Sequence, residues 1–334
     1  MIQSTSTIQT IETHTAGEPT RIVLSGLPWK LYAHESVTAA RRDFAENYDE
    51  IRKMLMKEPR GHDDMYGAVL LPPTRDQTDL GVFFLHSGGY NEACIHGTIG
   101  ITTALMETGQ LQKMSNFKLE TPAGVFTIRP ELADNYVEAV EVLNVPSFMF
   151  ETYVTEVEID STTYTVDAKL VHAGNNFALI DITTLPISLN RKSLRQLIDA
   201  ANQIRRDVNE KLSYENLSLG NTEEIGFVEF YEPREGVDRN TVVFGNGNID
   251  RSPCGTGTCA RMAQLYTEGE LDVGETYRYK SIIDTEFSGH IQEARMVDDQ
   301  PVVNPIVKGS AYITGTQTFY MDPKDPIEGF SLSE

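Results

Sequence analysis

One short motif occurs twice in this sequence, and the two copies constrain the fold more than any other feature. The motif is C-x-x-G-T, which begins at Cys94 and again at Cys254, an offset of 160 residues in a chain of 334. Each cysteine follows an apolar segment, GVFFL or TVVF, and precedes a helix-forming segment, ITTALMET or RMAQLYTE. A glycine closes each helical segment, Gly109 or Gly269, as is typical of a helix C-cap. We therefore predict two similar half-domains, each with the order strand, glycine-rich loop, cysteine, helix, glycine, strand.

Both cysteines are predicted at the start of a helix, where the first backbone amides have no partner inside the helix. Such amides bind anions, and their partial positive charge favours a thiolate, so we expect a thiol pKa below the ordinary value of about 8.5. Two such cysteines facing one cavity could hold a carboxylate between two helix starts. One thiolate would take a proton from the adjacent α-carbon while the opposing thiol donates one to its other face.

Other interpretations of the cysteines are weaker. Three cysteines without a secretory signal do not make a disulfide framework. A metal site through Cys94 and His96 lacks a second close pair of ligands, so no metal site is predicted. A single buried cysteine is commonly inert, but two inside matching helix starts favour chemistry. Cys259 lies five residues after Cys254, about 140° around the helix, and is predicted to pack in the core.

The composition excludes several classes of protein. The chain has 28 Lys and Arg residues and 49 Asp and Glu residues, and its net charge of −21 would repel nucleic acid and anionic membranes. A hydrophobic content of 40% and this length support a sizeable core in two domains. The N-terminal segment shows neither the basic nor the apolar region of a signal peptide, so we expect a cytoplasmic enzyme.

Three segments together resemble the proline racemase family. They are DRSPCGTGT with VVFGNGNI before it, the C-x-H-G-T of residues 94–98, and THTAGEPTR at residues 13–21. The family includes proline racemases, 4-hydroxyproline 2-epimerases and trans-3-hydroxyproline dehydratases. The resemblance covers essentially the whole chain. It implies an α/β (α+β) fold of the diaminopimelate-epimerase-like class, with two pseudo-symmetric halves, each a curled, mostly antiparallel sheet around a central helix, and no cofactor.

The resemblance also sets the predicted domains, because the C-terminal strand of this family returns to the first half. Residues 1–140 plus 305–334 are predicted to form the half-domain that carries Cys94, and residues 141–304 the one that carries Cys254. Apolar spacing predicts further helices over residues 36–58 and 190–212.

The resemblance assigns roles residue by residue. Cys94 and Cys254 match the two catalytic cysteines, and the amides of four residues match the carboxylate cradle. His96 and Asp250 match polar groups beside the ring nitrogen, although Asp250 could instead be a helix N-cap. Phe244 matches an aromatic residue against the substrate ring, although a strand phenylalanine is core by default. The predicted substrate-binding set is Ile95, His96, Gly97, Phe244, Asp250, Gly255 and Thr256.

Two departures from the family pattern bear on the substrate. Ile95 replaces a glycine after the first cysteine, and His172 stands where an aromatic residue is usual in the second half. We therefore rank free proline first and 4-hydroxyproline second. The dehydratases need only one thiol, so two cysteines favour inversion; a small-molecule binding protein with incidental cysteines is the non-enzymatic alternative. The expected partner is a proline-type imino acid, with no nucleic acid and no membrane, and a homodimer is left open.

Overall fold

The computed structural model describes residues 6–212 and 224–332. The chain forms two compact units, Met1–Val142 together with Ser310–Glu334, and Leu143–Gly309. The C-terminal segment thus belongs to the same unit as the N-terminal segment. The predicted half-domain boundaries at 140/141 and 304/305 stay a prediction.

Among its described residues, the first unit contains a sheet, three α-helices and one 3-10 helix, Trp29–Ala33. Its strands are β1 (Ser6–Thr15), β2 (Glu18–Ser25), β3 (Tyr66–Leu71), β4 (Leu80–His86), β5 (Gly89–Asn91), β6 (Phe117–Thr121), β7 (Gly124–Ala133), β8 (Tyr136–Leu143) and the C-terminal β18 (Ala311–Met321). Its helices are α1 (Val37–Asn47), α2 (Asp49–Met56) and α3 (Ile95–Glu107). Strands pair in the order β18, β1, β2, β3, β4, β6, β7, with β2–β3 and β4–β6 parallel and the others antiparallel.

The second unit repeats this arrangement. Its strands are β9 (Phe148–Ile159), β10 (Thr162–His172), β11 (Asn176–Asp181), β12 (Phe227–Glu232), β13 (Asp238–Phe244), β14 (Asn248–Ile249), β15 (Tyr277–Lys280), β16 (Glu286–Val297) and β17 (Gln300–Gly309). Its helices are α4 (Leu194–Lys211) and α5 (Gly255–Glu268). Strands pair in the order β9, β10, β11, β12, β13, β15, β16, β17, with β11–β12 and β13–β15 parallel.

Each cysteine motif lies in the same kind of βαβ crossover. In the first unit β4 leads through the short β5 to α3 and then β6, and in the second β13 leads through the short β14 to α5 and then β15, with β4–β6 and β13–β15 parallel. Gly109 and Gly269 adopt left-handed φ values of 74° and 76° just after their helices, which a glycine adopts without steric cost. This order of elements confirms the repeat predicted from the sequence.

The central helix of each unit is buried along most of its length. Helix α3 packs against β1, β2, β3 and β18, and α5 packs against β9, β10, β11, β16 and β17. Every residue of α3 from Ile95 to Met106 and of α5 from Gly255 to Leu265 is buried. Coverage on all sides explains why α3 is mainly small or apolar around its circumference, whereas α5 also buries Arg261 and Gln264, which bond to each other at 2.9 Å. The predicted mixed α/β class, with mostly antiparallel pairs and a central helix in each unit, is confirmed.

The prediction of a single helix over residues 36–58 is wrong, because this segment forms two helices, α1 and α2. Tyr48, at φ −142°, ends α1 and its backbone amide still bonds to Phe44, while Asp49 and Glu50 open the first turn of α2. Acidic side chains at that point favour a new helix start because they complement the helix dipole. Apolar spacing continues across the break since both helices pack on the same core.

The helix predicted over residues 190–212 exists with a shorter α-helical part. A 3-10 turn occupies residues 191–193, and α4 then buries Leu197, Ala201, Ile204 and Val208 against the second sheet. None of the helices within residues 6–212 and 224–332 is long and apolar enough to cross a membrane.

Candidate active site

The first cysteine motif forms a sulfur-capped helix start in the first unit. Cys94 is the N-cap residue of α3, and its Sγ accepts the backbone N–H of Gly97 at 3.2 Å. The first backbone bond of the helix runs from Thr98 N to Cys94 O at 3.2 Å, so the amides of Ile95 and His96 have no partner inside the helix. A thiol in this position can replace the hydroxyl of an ordinary serine cap and still carry chemistry.

His96 lies beside this sulfur. Its Nδ1 is 3.3 Å from Cys94 Sγ, and its ring also bonds to the backbone of Pro19. Burial lowers the pKa of His96 to about 3, so the imidazole is neutral at neutral pH. The Tyr66 ring stands edge-on to the imidazole, with 4.6 Å between the ring centroids, and Thr15 donates to the backbone carbonyl of His96 at 2.8 Å. Cys94, Pro19 and Tyr66 therefore contact the ring and fix its position.

The second motif forms a matching helix start in the second unit. Cys254 is the N-cap of α5, and its Sγ accepts the N–H of Gly257 at 3.4 Å and lies 3.8 Å from Thr256 Oγ1. Its φ of 54° is left-handed, whereas Cys94 is extended at −155°. Such a conformation costs about 1–3 kcal/mol for a residue other than glycine and persists only where its surroundings hold it.

Asp250 braces the loop before Cys254. Its Oδ1 accepts from Ser252 N at 2.7 Å and Ser252 Oγ at 2.8 Å, and Ser252 Oγ accepts in turn from Cys254 N at 3.1 Å. Burial raises the pKa of Asp250 to about 6 despite these bonds. The alternative that Asp250 is the helix N-cap is wrong, because Cys254 holds that position.

The expected lowering of the thiol pKa is wrong for Cys254. Burial raises the pKa of this thiol well above its ordinary value, and the nearby carboxyls of Asp250 and Glu229 raise it further. The Gly257 amide and Thr256 oppose the shift without reversing it. A helix start alone does not make a thiolate when the sulfur is desolvated beside two acidic groups.

The other predicted residues divide between the two helix starts. Ile95 and Gly97 lie in the first turn of α3, and Gly255 and Thr256 in the first turn of α5, all buried. Phe244 ends β13 and stacks on Phe227 at 5.7 Å between ring centroids. The structure thus gathers each set within its own unit, and the roles assigned to these residues stay predictions.

The two residues that depart from the family pattern, Ile95 and His172, are also buried or nearly buried. Ile95 is 1% exposed, so its side chain packs in the interior of the first unit. His172 ends β10, where its Nδ1 lies 2.8 Å from Asn176 Oδ1 and its ring 5.3 Å from that of Phe148. Burial lowers the pKa of His172, which favours its neutral form.

Sequence reasoning missed a buried carboxyl next to the second motif. Glu229 is 0% exposed in β12, where Tyr279 donates to its Oε1 at 2.6 Å and Asn240 at 3.3 Å. The available signal was a glutamate in the apolar strand EIGFVEFYE. Alternation along that strand shows that Glu229 shares a face with Phe227 and Tyr231, but it does not show what that face covers.

All three cysteines are buried, and none of them forms a disulfide with another described residue. Cys259 is 0% exposed and bonds to Asn144, which agrees with its predicted packing role. Among residues 6–212 and 224–332, no group of three or more His, Cys, Asp and Glu side chains could hold a metal ion.

The model of the proline racemase family matches residues 10–331. A proline racemase of Clostridioides difficile is 39% identical over 332 residues, which cover 97% of this chain and 98% of the relative. A 4-hydroxyproline 2-epimerase of Streptosporangium roseum is 36% identical over 330 residues, covering 96% and 97%. The chain is therefore similar along its whole length to enzymes of two neighbouring specificities.

Among solved structures, a hydroxyproline epimerase from Agrobacterium vitis with bound trans-4-hydroxy-L-proline has the same fold. The TM-score is 0.88 at 24% identity, over 100% of this chain and 98% of the other. This likeness confirms the fold class that the sequence predicts.

Proposed function

The chain belongs to the proline racemase family, and we propose that it is a cofactor-independent proline racemase that inverts the α-carbon by proton transfer between Cys94 and Cys254. It is an isomerase that acts on proline or hydroxyproline. The relatives support the class of reaction, whereas proline as the substrate and the two-cysteine mechanism are our proposal.

One observation carries the mechanism. Each βαβ crossover presents a buried cysteine as the N-cap of its central helix, with Sγ accepting the amide of the third residue on, Gly97 or Gly257. A duplicated fold that keeps a thiol at both helix starts fits a reaction that needs an acid–base group on each face of the α-carbon. A binding protein needs neither sulfur at these positions.

In the proposed reaction, the substrate carboxylate binds backbone amides at the two helix starts, including those of Ile95 and Gly255. The thiolate of one cysteine takes the Cα proton, and negative charge develops toward the carboxylate, where the amides stabilise it. The other thiol then gives its proton to the opposite face of Cα. One proton leaves and one enters, so the product is the mirror image and the thiol and thiolate have exchanged places.

Two buried side chains are proposed to meet the ring nitrogen. His96 is neutral because burial lowers its pKa to about 3, so it can offer a hydrogen bond without adding charge. Asp250, with a pKa raised to about 6, is mainly ionised at neutral pH and could pair with the ammonium of the imino acid. Together they would hold the ring while the α-carbon reacts.

The second candidate is 4-hydroxyproline 2-epimerisation, which the relative from Streptosporangium roseum favours. The chemistry at Cα is the same, so the choice depends on what contacts the ring, where Ile95 and His172 depart from the family pattern. Dehydration of trans-3-hydroxy-L-proline is disfavoured because it needs one thiol, whereas this chain has a cysteine in both motifs, Cys94 and Cys254. A homodimer and a cytoplasmic location stay proposals.

The function is tested by incubating the protein separately with L-proline, trans-4-hydroxy-L-proline and trans-3-hydroxy-L-proline in deuterium oxide. Proton NMR and chiral chromatography follow Cα exchange and inversion. We expect inversion with incorporation of deuterium, fastest for proline. Faster inversion of the 4-hydroxy compound would move the assignment to the epimerase, elimination to a pyrroline would indicate a dehydratase, and no exchange would refute the enzyme. The Cys94→Ser variant, purified identically, controls for a contaminating racemase.

We also expect the two motif cysteines to react with iodoacetamide faster than Cys259. Cys94 and Cys254 are 4% and 5% exposed at the two helix starts, whereas Cys259 is 0% exposed, so the reagent reaches the motif sulfurs more readily. Pyrrole-2-carboxylate, a planar mimic of the transition state, should protect both motif cysteines. Peptide mass spectrometry measures the three rates, and labelling in urea gives the unprotected reference. Equal alkylation rates for the three cysteines, unchanged by pyrrole-2-carboxylate, would argue against a ligand site at the two motifs.

A further inference from the structure

Glu229 holds a carboxyl that the proposed mechanism does not use. It is fully buried in β12, and its Oε1 accepts from Tyr279 and Asn240. Its Oε2 has no hydrogen-bond partner among residues 6–212 and 224–332. Leaving a buried polar atom unpaired costs about 1–3 kcal/mol, more when it is charged, so this arrangement needs an explanation.

The unpaired oxygen lies against the first turn of α5. A Cβ placed on Gly257 would be 2.3 Å from Glu229 Oε2 and 3.2 Å from Cys254 Sγ. The same small space therefore borders both the carboxyl and the sulfur. The absence of a side chain at Gly257 lets the two groups share it.

A second connection runs through Asn240. Its amide nitrogen donates to Glu229 Oε1 at 3.3 Å and to the carbonyl of Pro253 at 2.8 Å. Pro253 directly precedes Cys254, whose left-handed φ of 54° must be held by its surroundings. The Glu229 carboxyl thus supports, through Asn240, the backbone that positions the Cys254 side chain.

The first unit lacks this arrangement. Val69 stands 160 residues before Glu229, in β3, and a Cβ on Gly97 would meet the Phe84 ring at 3.0 Å. Cys94 has an extended backbone and a neutral histidine beside its sulfur. The duplicated motif is therefore symmetric in its cysteines and asymmetric in what lies behind them.

We propose that Glu229 is a positioning residue that makes the two cysteines unequal. Through Asn240 it fixes the turn at Cys254, and its negative charge opposes a thiolate there, so that Cys254 rests as the proton-donating thiol and Cys94 as the base. This rests on the proposed two-cysteine function. It assigns opposite resting protonation states to two cysteines that the sequence repeat makes look alike.

The electrostatic surroundings of Glu229 support the proposal. Burial raises the pKa of Glu229 to about 7, while the bonds from Tyr279 and Asn240 lower it. The carboxyl is therefore about half ionised at pH 7 and mainly ionised above pH 8, the range in which its charge would act on Cys254. The titratable groups that face it are Tyr277, Tyr279, Asp250, Arg261, Cys254 and Cys259.

The test is the pH dependence of Cys254 alkylation in the wild type and in Glu229→Gln. Glutamine keeps an acceptor for Tyr279 and Asn240 and removes the charge. We expect the Cys254 profile to move to lower pH by about one unit, an increase of roughly tenfold in rate at a fixed pH below its midpoint. Glu232→Gln, in the same strand and paired with exposed Arg234, is the matched control and should leave the profile unchanged. An unchanged profile in folded Glu229→Gln would overturn the proposal.

A measurement on the wild type covers the case in which Glu229→Gln does not fold. The exposed fractions of Cys94 and Cys254 are nearly equal, at 4% and 5%, so a difference between their alkylation rates reports a difference in thiolate content. Cys94 should react at least about tenfold faster near neutral pH. Equal rates, or a faster Cys254, would overturn the proposal. Failure of the proposed function shows separately, as inversion that survives loss of either cysteine.

Discussion

Replacing either motif cysteine by serine, Cys94→Ser or Cys254→Ser, is expected to abolish racemisation, with a loss in kcat/KM of at least about 10³-fold. A serine hydroxyl holds its proton far too tightly to act as the base, and inversion needs both a base on one face of Cα and an acid on the other. Stability should change little, since oxygen replaces sulfur at an N-cap position where serine is a preferred residue. Polarimetry with L-proline and D-proline measures both directions.

The two single variants differ in a second observable. A variant that keeps one thiolate can still remove and return a proton on the same face, so Cα exchange in deuterium oxide without inversion could survive. If Cys94 is the resting base, L-proline or D-proline, but not both, should exchange in Cys254→Ser.

Cys259→Ala is the control for both variants. Cys259 lies on α5 with Cys254 and is fully buried, but it is not at the helix start. Its loss should lower the melting temperature modestly and leave kcat/KM within a few-fold of the wild type. Substantial inversion in Cys94→Ser or Cys254→Ser would exclude the two-base mechanism.

The part of the fold that repeats could be predicted from the sequence. The positions of Cys94 and Cys254, the two helices and the closing glycines follow from local rules, because caps and apolar spacing depend on residues a few positions apart. The break at Tyr48 was missed, since α1 and α2 pack on one core and keep the same spacing across it.

The electrostatics of the second helix start could not be predicted in this way. The sequence places amides next to Cys254 and so predicts a stabilised thiolate, but Glu229 arrives from β12, 25 residues earlier, and burial comes from the whole unit. A local motif thus predicts which atoms sit at a helix start. The sign of the pKa shift at Cys254 depends on tertiary contacts.

Gly257→Ala is the second change with a large expected effect. Within a helix, alanine normally stabilises a protein by roughly 1 kcal/mol relative to glycine. Here the new methyl group would lie 2.3 Å from Glu229 Oε2 and 3.1 Å from Cys254 Cβ. We expect destabilisation by about 1–3 kcal/mol instead, and a fall in kcat/KM of at least about 100-fold, because the sulfur must move from its place.

Gly226→Ala is the matched control, since a Cβ at Gly226 would meet nothing within 4 Å. Melting temperature and kcat/KM of this variant should stay close to those of the wild type. A Gly257→Ala protein as stable and active as the wild type would show that the carboxyl does not lie against the helix start as described.

A double variant separates the clash with Glu229 from the clash with the cysteine itself. Glu229→Ala removes the nearest atom, so adding it to Gly257→Ala should recover part of the lost stability, and the two changes should not be additive. Activity should not recover, because the methyl group still presses on Cys254 and the support through Asn240 is gone. Urea unfolding of the four proteins gives the coupling free energy. Additive losses in stability would mean that Glu229 and Gly257 act independently, and the shared space behind Cys254 would then have no energetic role.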